Sequence, residues 1–126
     1  MKRQIVATTA APKAIGPYSQ AVWAGDVLFC AGQIPLDPAT GNMTAGGITE
    51  QTTRVLENIR GLLQSQGLDF GNVVKSTVFL SDMNNFGAMN EVYTKYFTKE
   101  PPARSTVQVA RLPKDALVEI EIVAAR

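Results

Sequence analysis

Apolar positions along the chain switch between a period of two and a period of 3.6, and the switches mark the elements. Residues 3–8 have the composition of a short first strand, and residues 9–19, with Pro12, Gly16 and Pro17, read as loop. Two apolar runs, residues 19–24 and 27–31, bracket Gly25-Asp26, a pair that predicts a hairpin of the type II′ kind. Val27-Leu28-Phe29-Cys30-Ala31 is apolar throughout and predicts a strand buried on both faces. Residues 34–47 hold Pro35, Pro38, Gly41, Gly46 and Gly47, with a turn at Asp37–Gly41; they read as surface loop without chemistry.

From Ile48 the period is helical. Ile48, Thr52, Val55, Leu56, Ile59, Leu62 and Leu63 form one stripe, with Gln51, Arg54, Glu57, Asn58 and Arg60 elsewhere. Thr49 is the expected N-cap, Glu50 suits the positive end of the helix dipole, and Gly67 supplies the stop. Alternation returns over residues 73–80, with Val74, Ser76, Val78 and Leu80 on one side and Val73, Lys75, Thr77 and Phe79 on the other. A second helix is predicted over about residues 85–97, with Phe86, Met89, Val92, Tyr93, Tyr96 and Phe97 as its buried stripe. Two β-branched runs then flank Leu112-Pro113-Lys114-Asp115-Ala116 and read as two strands joined by a turn or short connector.

This order of three strands, helix, strand, helix and two strands predicts an α+β fold: a mixed β-sheet with two helices on one face. The uncovered face keeps Ala21 or Val22, Leu117 and Val123 among polar groups, and such a face tends to meet a copy of itself. On the last two strands, Arg104, Thr106, Gln108 and Ala110 share a side, and so do Leu117, Glu119, Glu121 and Val123. Val118, Ile120 and Ile122 want the helical cover. Arg104, Thr106, Gln108, Glu119 and Glu121 are therefore expected together on the opposite face, the material of an anion-binding cleft. Polar residues on the outer face of a strand pair are often only solvated, and exposed ion pairs stabilise little, so spacing alone leaves both readings standing.

Bulk properties narrow the classes. At 126 residues the chain, 1–126, suits one domain with one core, and 45% hydrophobic and 18% charged residues fit an ordinary globule. Twelve basic against eleven acidic residues leave a formal charge of +1, so no basic excess argues for a nucleic-acid partner. No apolar run approaches the roughly 20 residues that span a bilayer, and residues 1–6 lack a signal-peptide core; a cytoplasmic protein is expected. There is one cysteine and no histidine, which removes an internal disulfide, His-based triads and zinc sites of the usual kind. A carboxylate-only magnesium or calcium site stays open by composition, but neither an EF-hand loop nor a P-loop is present, and the expectation is no metal and no other cofactor. Chemistry then falls to Arg, Glu, Tyr, Ser, Thr, backbone groups and water. Cys30 reads as a small core hydrophobe, and Gly32 as a place where another group approaches the backbone closely.

Longer motifs add a family. Pro102-Ala103-Arg104-Ser105-x-Val107-x-x-Ala110-x-Leu112, followed after five residues by Val118-Glu119-Ile120, resembles the signature of the RidA (YjgF) family. So do Ala14-Ile15-Gly16-Pro17-Tyr18-Ser19-Gln20-Ala21, Ala31-Gly32-Gln33-Ile34-Pro35 and Asp82-Met83-Asn84-Asn85-Phe86-x-x-Met89-Asn90-x-x-Tyr93, which together span nearly the whole chain. The resemblance implies a chorismate-mutase-like fold assembled as a homotrimer, with three clefts between subunits. It implies hydrolysis of 2-imino acids, tautomers of enamines such as 2-aminoacrylate, to 2-keto acids and ammonia without a cofactor.

In that reading Arg104 grips the substrate carboxylate, Glu119 positions water or returns its proton, and Tyr18 holds the water or the nitrogen. Backbone groups at Gly32 and Thr106 complete the pocket, and Asn90 lies near it. Without the family, Tyr18 reads as a packing tyrosine and Asn90 as a surface residue. The chain departs from relatives at Ala31, where several carry serine, and at Thr106, where cysteine occurs. It also departs at Pro101, where an aromatic and a longer loop are common. Two other functions stand beside the hydrolase: a non-catalytic metabolite-binding or chaperone-like protein using the same cleft, and an RNA-cleaving translation inhibitor.

Overall fold

The computed structural model describes residues 2–126, so Met1 of the N-terminal reading lies outside the described residues. Its elements are β1 (Arg3–Val6), β2 (Ala21–Ala24), β3 (Val27–Cys30), α1 (Ile48–Ser65), β4 (Val73–Leu80), α2 (Phe86–Tyr96), β5 (Ala103–Gln108) and β6 (Val118–Ala125). The strands form one sheet in the order β1-β2-β3-β6-β4-β5. Every neighbouring pair is antiparallel except β4 with β5. Both helices cover the face that presents Leu28, Cys30, Val78, Leu80, Val118, Ile120 and Ile122, all buried with the apolar stripes of α1 and α2. The α+β sheet with two helices is the architecture expected, and Gly25, at φ +61, opens the two-residue turn between β2 and β3.

Several local expectations change for identifiable reasons. β3 is not buried on both faces: Phe29 is 51% exposed, because two helices cover only one side of the sheet. The cap of α1 is not Thr49; Gly47 donates its backbone N–H to Glu50 Oε1 at 2.9 Å, so the acid three residues in closes the helix start. Gln51 and Asn58, assigned to the polar side of α1, are buried. Gln51 Oε1 accepts from the Leu117 N–H at 2.8 Å, and Asn58 Nδ2 donates to the Leu36 carbonyl at 2.9 Å. Each satisfies a backbone group of a neighbouring loop, the usual condition for burying an amide. Val74 faces outward while Val73 is buried, because the β4–β6 register shifts between Val73 and Lys75. Phe86, placed in the buried stripe of α2, lies at the rim and is 37% exposed.

The largest correction concerns the last two strands. β5 and β6 are not neighbours: β4 lies between them, parallel to β5 and antiparallel to β6. Through β4 the register aligns Arg104 with Ser76 and Ile122, Thr106 with Val78 and Ile120, and Val107 with Phe79 and Glu119. Side chains at aligned positions share a face. Arg104, Thr106 and Gln108 therefore take the helix-covered side, at its margin, while Glu119 and Glu121 take the open side. The expected common face for Arg104 and Glu119 does not exist within one chain.

One contact tests how the N-terminal loop is held. A Cβ built on Gly61 of α1 would lie 2.9 Å from the Ala10 carbonyl carbon and overlap its oxygen. Glycine to alanine inside a helix ordinarily stabilises by ~0.5–1 kcal/mol. Here backbone blocks the added methyl, so Gly61→Ala is expected to destabilise by about 1–3 kcal/mol, the range for overpacking. Urea unfolding of the variant measures the sign.

Candidate active site

Arg104 stands on the edge strand β5, beside Ser76 of β4, and its guanidinium lies against α2. Nη1 donates to Asn90 Oδ1 at 2.8 Å. The guanidinium carbon sits 4.6 Å from the centre of the Tyr93 ring and 5.6 Å from that of Phe86. Tyr93 in turn is fixed from below: its hydroxyl and Ser76 Oγ share a buried hydrogen bond of 2.6 Å, and its ring stacks on Phe97 at 4.4 Å. Burial pushes the Tyr93 hydroxyl above its ordinary range, against the pull of Ser76 and Arg104, so the ring stays neutral. Among the described residues no carboxylate pairs with Arg104. Every support of this cation is uncharged, and Arg104 lines a cleft of about 430 Å³ together with Asn90, Tyr93, Pro101 and Pro102.

Glu119 belongs to a second constellation. It projects from β6 onto the open face, half-buried, and touches Gly32. The strand that carries Gly32 advances by one residue against β6 between the pairs Phe29–Val123 and Gln33–Ile120, a bulge that turns Gly32 toward the open face, where the Glu119 side chain reaches it. A Cβ at position 32 would overlap the Glu119 carboxylate, so only glycine leaves it room. Burial, then the neighbouring charge of Glu121, raises the Glu119 carboxyl above its ordinary range. Among the described residues Glu119 has neither a hydrogen-bond donor nor a cation against it. A carboxylate left unpaired in a half-dry place, with its proton affinity raised, is suited to taking and returning a proton.

Tyr18 is not a packing tyrosine: it is 55% exposed, and its hydroxyl accepts only from the Ile15 N–H, at 3.3 Å. It shares with Gly32 a cleft of about 430 Å³ whose walls include Ile15, Ile34, Lys13 and Lys114. Gln20, buried beside it, pins the loop: it accepts from the Thr8 N–H at 2.6 Å and donates to the Thr8 and Pro12 carbonyls.

The predicted residues thus gather as two half-sites. Arg104 and Asn90 touch, with half-buried Thr106 farther along the same side of β5; Glu119 and Gly32 touch, with Tyr18 in the Gly32 cleft. The sheet separates the two groups. Tyr93, Phe86 and Ser76 were not anticipated here. The spacing Asn90-x-x-Tyr93 puts both on neighbouring turns of one helix, but only the β4–β5 pairing brings Ser76 and Arg104 beneath them. Arg111, the other arginine of this region, pairs with Asp115 at 2.6 Å on the exposed surface. Among the described residues no group of His, Cys, Asp and Glu side chains could hold a metal ion, and no helix is long and apolar enough to cross a membrane.

Comparison with known proteins places this geometry. The family described as Endoribonuclease L-PSP matches residues 8–126. A RutC family protein of Pyrococcus horikoshii is 54% identical over 122 residues, covering 97% of each chain. The mouse protein named 2-iminobutanoate/2-iminopropanoate deaminase is 48% identical over 122 residues, covering 97% of this chain and 90% of its own. Among solved structures, E. coli TdcF with bound serine superposes with a TM-score of 0.93 at 45% identity, covering 98% of each chain.

The single thiol is a control outside both half-sites. Burial pushes Cys30 up to about 12, so it stays protonated through pH 9. Native protein is expected to leave a disulfide reagent such as Ellman's unreacted at pH 8, with one equivalent released on denaturation; rapid reaction of folded protein would contradict this burial.

Proposed function

Because the chain belongs to the RidA family, the family described as Endoribonuclease L-PSP, we propose that it hydrolyses 2-imino acids to 2-keto acids and ammonia. The observation that carries the reading is the unneutralised Arg104, held by an amide and two aromatic rings and bordering a cleft. A guanidinium that has spent one N–H on Asn90 keeps others for a planar carboxylate, in a fork that lysine cannot reproduce.

The two half-sites lie on opposite faces of one sheet, so one active site needs two copies. The open face carries exposed Ile5 and Phe29 with Val107, apolar surface that a second copy would cover. We propose the homotrimer that the family resemblance implies, with Arg104, Asn90 and Thr106 of one subunit facing Glu119, Gly32 and Tyr18 of the next. In such a cleft Arg104 orients the acid. Glu119 takes a proton from water as its oxygen bonds to the imine carbon. It passes that proton to nitrogen, giving a neutral carbinolamine. The carbinolamine hydroxyl then gives its proton to Glu119, which delivers it to nitrogen as C=O forms and the C–N bond breaks, and ammonia leaves the 2-keto acid behind. Tyr18 holds the water or the departing nitrogen, and backbone groups at Gly32 and Thr106 complete the anion pocket. Thr106 and Ala31 remove a thiol and a hydroxyl that some relatives carry, and no step depends on either.

A non-catalytic binder would use the same cleft and bind keto acids without turnover. The RNA-cleaving reading has less support, since a formal charge of +1 and the absence of histidine offer little for a phosphate backbone or for His-based acid–base cleavage.

Keto acid trapped with semicarbazide from freshly generated 2-aminoacrylate distinguishes enzyme from binder. Arg104→Ala is expected to lower kcat/KM by roughly 10²–10⁴, the loss of two charge-assisted hydrogen bonds, with an unchanged melting temperature; full activity would remove the assignment. Glu119→Gln is expected to lower kcat by ~10²–10⁴ while keto-acid affinity stays within a few-fold. The reverse pattern, weak binding with normal turnover, would contradict its role as the proton carrier.

A further inference from the structure

The arrangement beneath Arg104 goes beyond binding a carboxylate; it determines how that binding is kept available. We infer that Tyr93, locked by Ser76, is a positioning residue of the site: its ring holds the Arg104 guanidinium in place without neutralising it, leaving the charge free for an anionic substrate. This rests on the carboxylate-binding half of the reading above.

A buried or half-buried arginine is usually held by an acid, which fixes it and also satisfies it. An acid in the cradle would compete with any incoming carboxylate for the same fork. Here the acid is replaced by three uncharged contacts: the Asn90 carboxamide at 2.8 Å, the Tyr93 face at 4.6 Å and the Phe86 face at 5.6 Å. Ring faces attract a cation without accepting its N–H groups in the guanidinium plane.

Such a support works only if the ring cannot swing. Tyr93 is 5% exposed, stacked on Phe97 and tied to Ser76, itself fully buried. Ser76 stands beside Arg104 in the parallel β4–β5 ladder. One short chain of contacts therefore runs from the sheet through the ring to the guanidinium. Phe86, at the rim, closes the second side.

Four variants test this, read by steady-state kinetics, by calorimetric titration of pyruvate and by melting temperature. Tyr93→Phe keeps the ring but loses the tie to Ser76, and is expected to raise KM and the pyruvate Kd by a smaller factor than Tyr93→Leu does. Tyr93→Leu removes the ring and is expected to raise KM and the pyruvate Kd about 3- to 30-fold, the worth of one partly desolvated cation–π contact, with kcat within about twofold. Asn90→Asp, the same size but charged, is expected to lower pyruvate affinity at least tenfold while the melting temperature holds or rises, because the new carboxylate occupies Arg104. Phe86→Leu, on the rim and safe for folding, is expected to weaken binding by a smaller factor and keeps the test open if Tyr93→Leu does not fold.

Unchanged KM and pyruvate Kd in Phe86→Leu and in Tyr93→Leu, or undiminished binding by Asn90→Asp, would overturn the inference. So would a fall in kcat alone. Pyruvate binding that depends on the ring, without imine hydrolysis, would keep the cradle and remove the hydrolase. Hydrolysis indifferent to the ring would do the opposite, and a parent protein that binds no pyruvate would remove both.

Discussion

Strand β4 hydrogen-bonds to β6 on one side and to β5 on the other, and that insertion decides which way each functional side chain points. Had β5 and β6 paired directly, the register could have placed Arg104 and Glu119 on a common face. With β4 between them, Arg104 follows Ser76 toward the helices and Glu119 follows Phe79 away from them. The Arg104 and Glu119 groups that result lie on opposite faces. In the proposed hydrolase that division would make assembly a condition of chemistry rather than an addition to it, and the exposed apolar residues on the open side of the sheet offer a reason for copies to meet.

Much of this could be read from the residues. Periodicity located both helices and β4, because each helix has a real apolar stripe and β4 a real alternation, while β1 and β3 were legible from composition. Gly25, Gly32 and Cys30 behave as their chemistry suggested: a turn, a close approach, a buried thiol. What could not be read depends on pairing at long range. Nothing local says that β5 joins β4 in parallel rather than closing a hairpin with β6. The buried amides of Gln51 and Asn58 look like surface residues until their partners, Leu117 and Leu36, are known. Phe29 looked doubly buried because an apolar run cannot say how many layers will cover it. The family motifs named Arg104, Asn90, Glu119 and Tyr18 as companions, but not that one sheet stands between them.

The two ionisable groups are handled in opposite ways, and the contrast is informative. Arg104 is steadied by neutral neighbours and keeps its charge outright. Glu119 is crowded by Gly32 on one side, partly dried, and pushed toward its protonated form with Glu121 adding to the effect. A permanent cation suits a group that only holds; an acid whose proton affinity is raised suits the taking and giving proposed for Glu119. Gly32 shapes the second as Tyr93 steadies the first.

β6 lies inside the sheet, with β3 on one flank and β4 on the other, yet it follows all the other strands in the sequence. During synthesis the β1–β2–β3 meander and the β4–α2–β5 unit can each form local contacts while they wait, but neither can be joined to the other until residues 118–125 have left the ribosome. A nascent chain short of that point displays two raw strand edges at the centre of the future sheet. Residues 118–125 thus act as the keystone, and until they pair those edges are open to other strands.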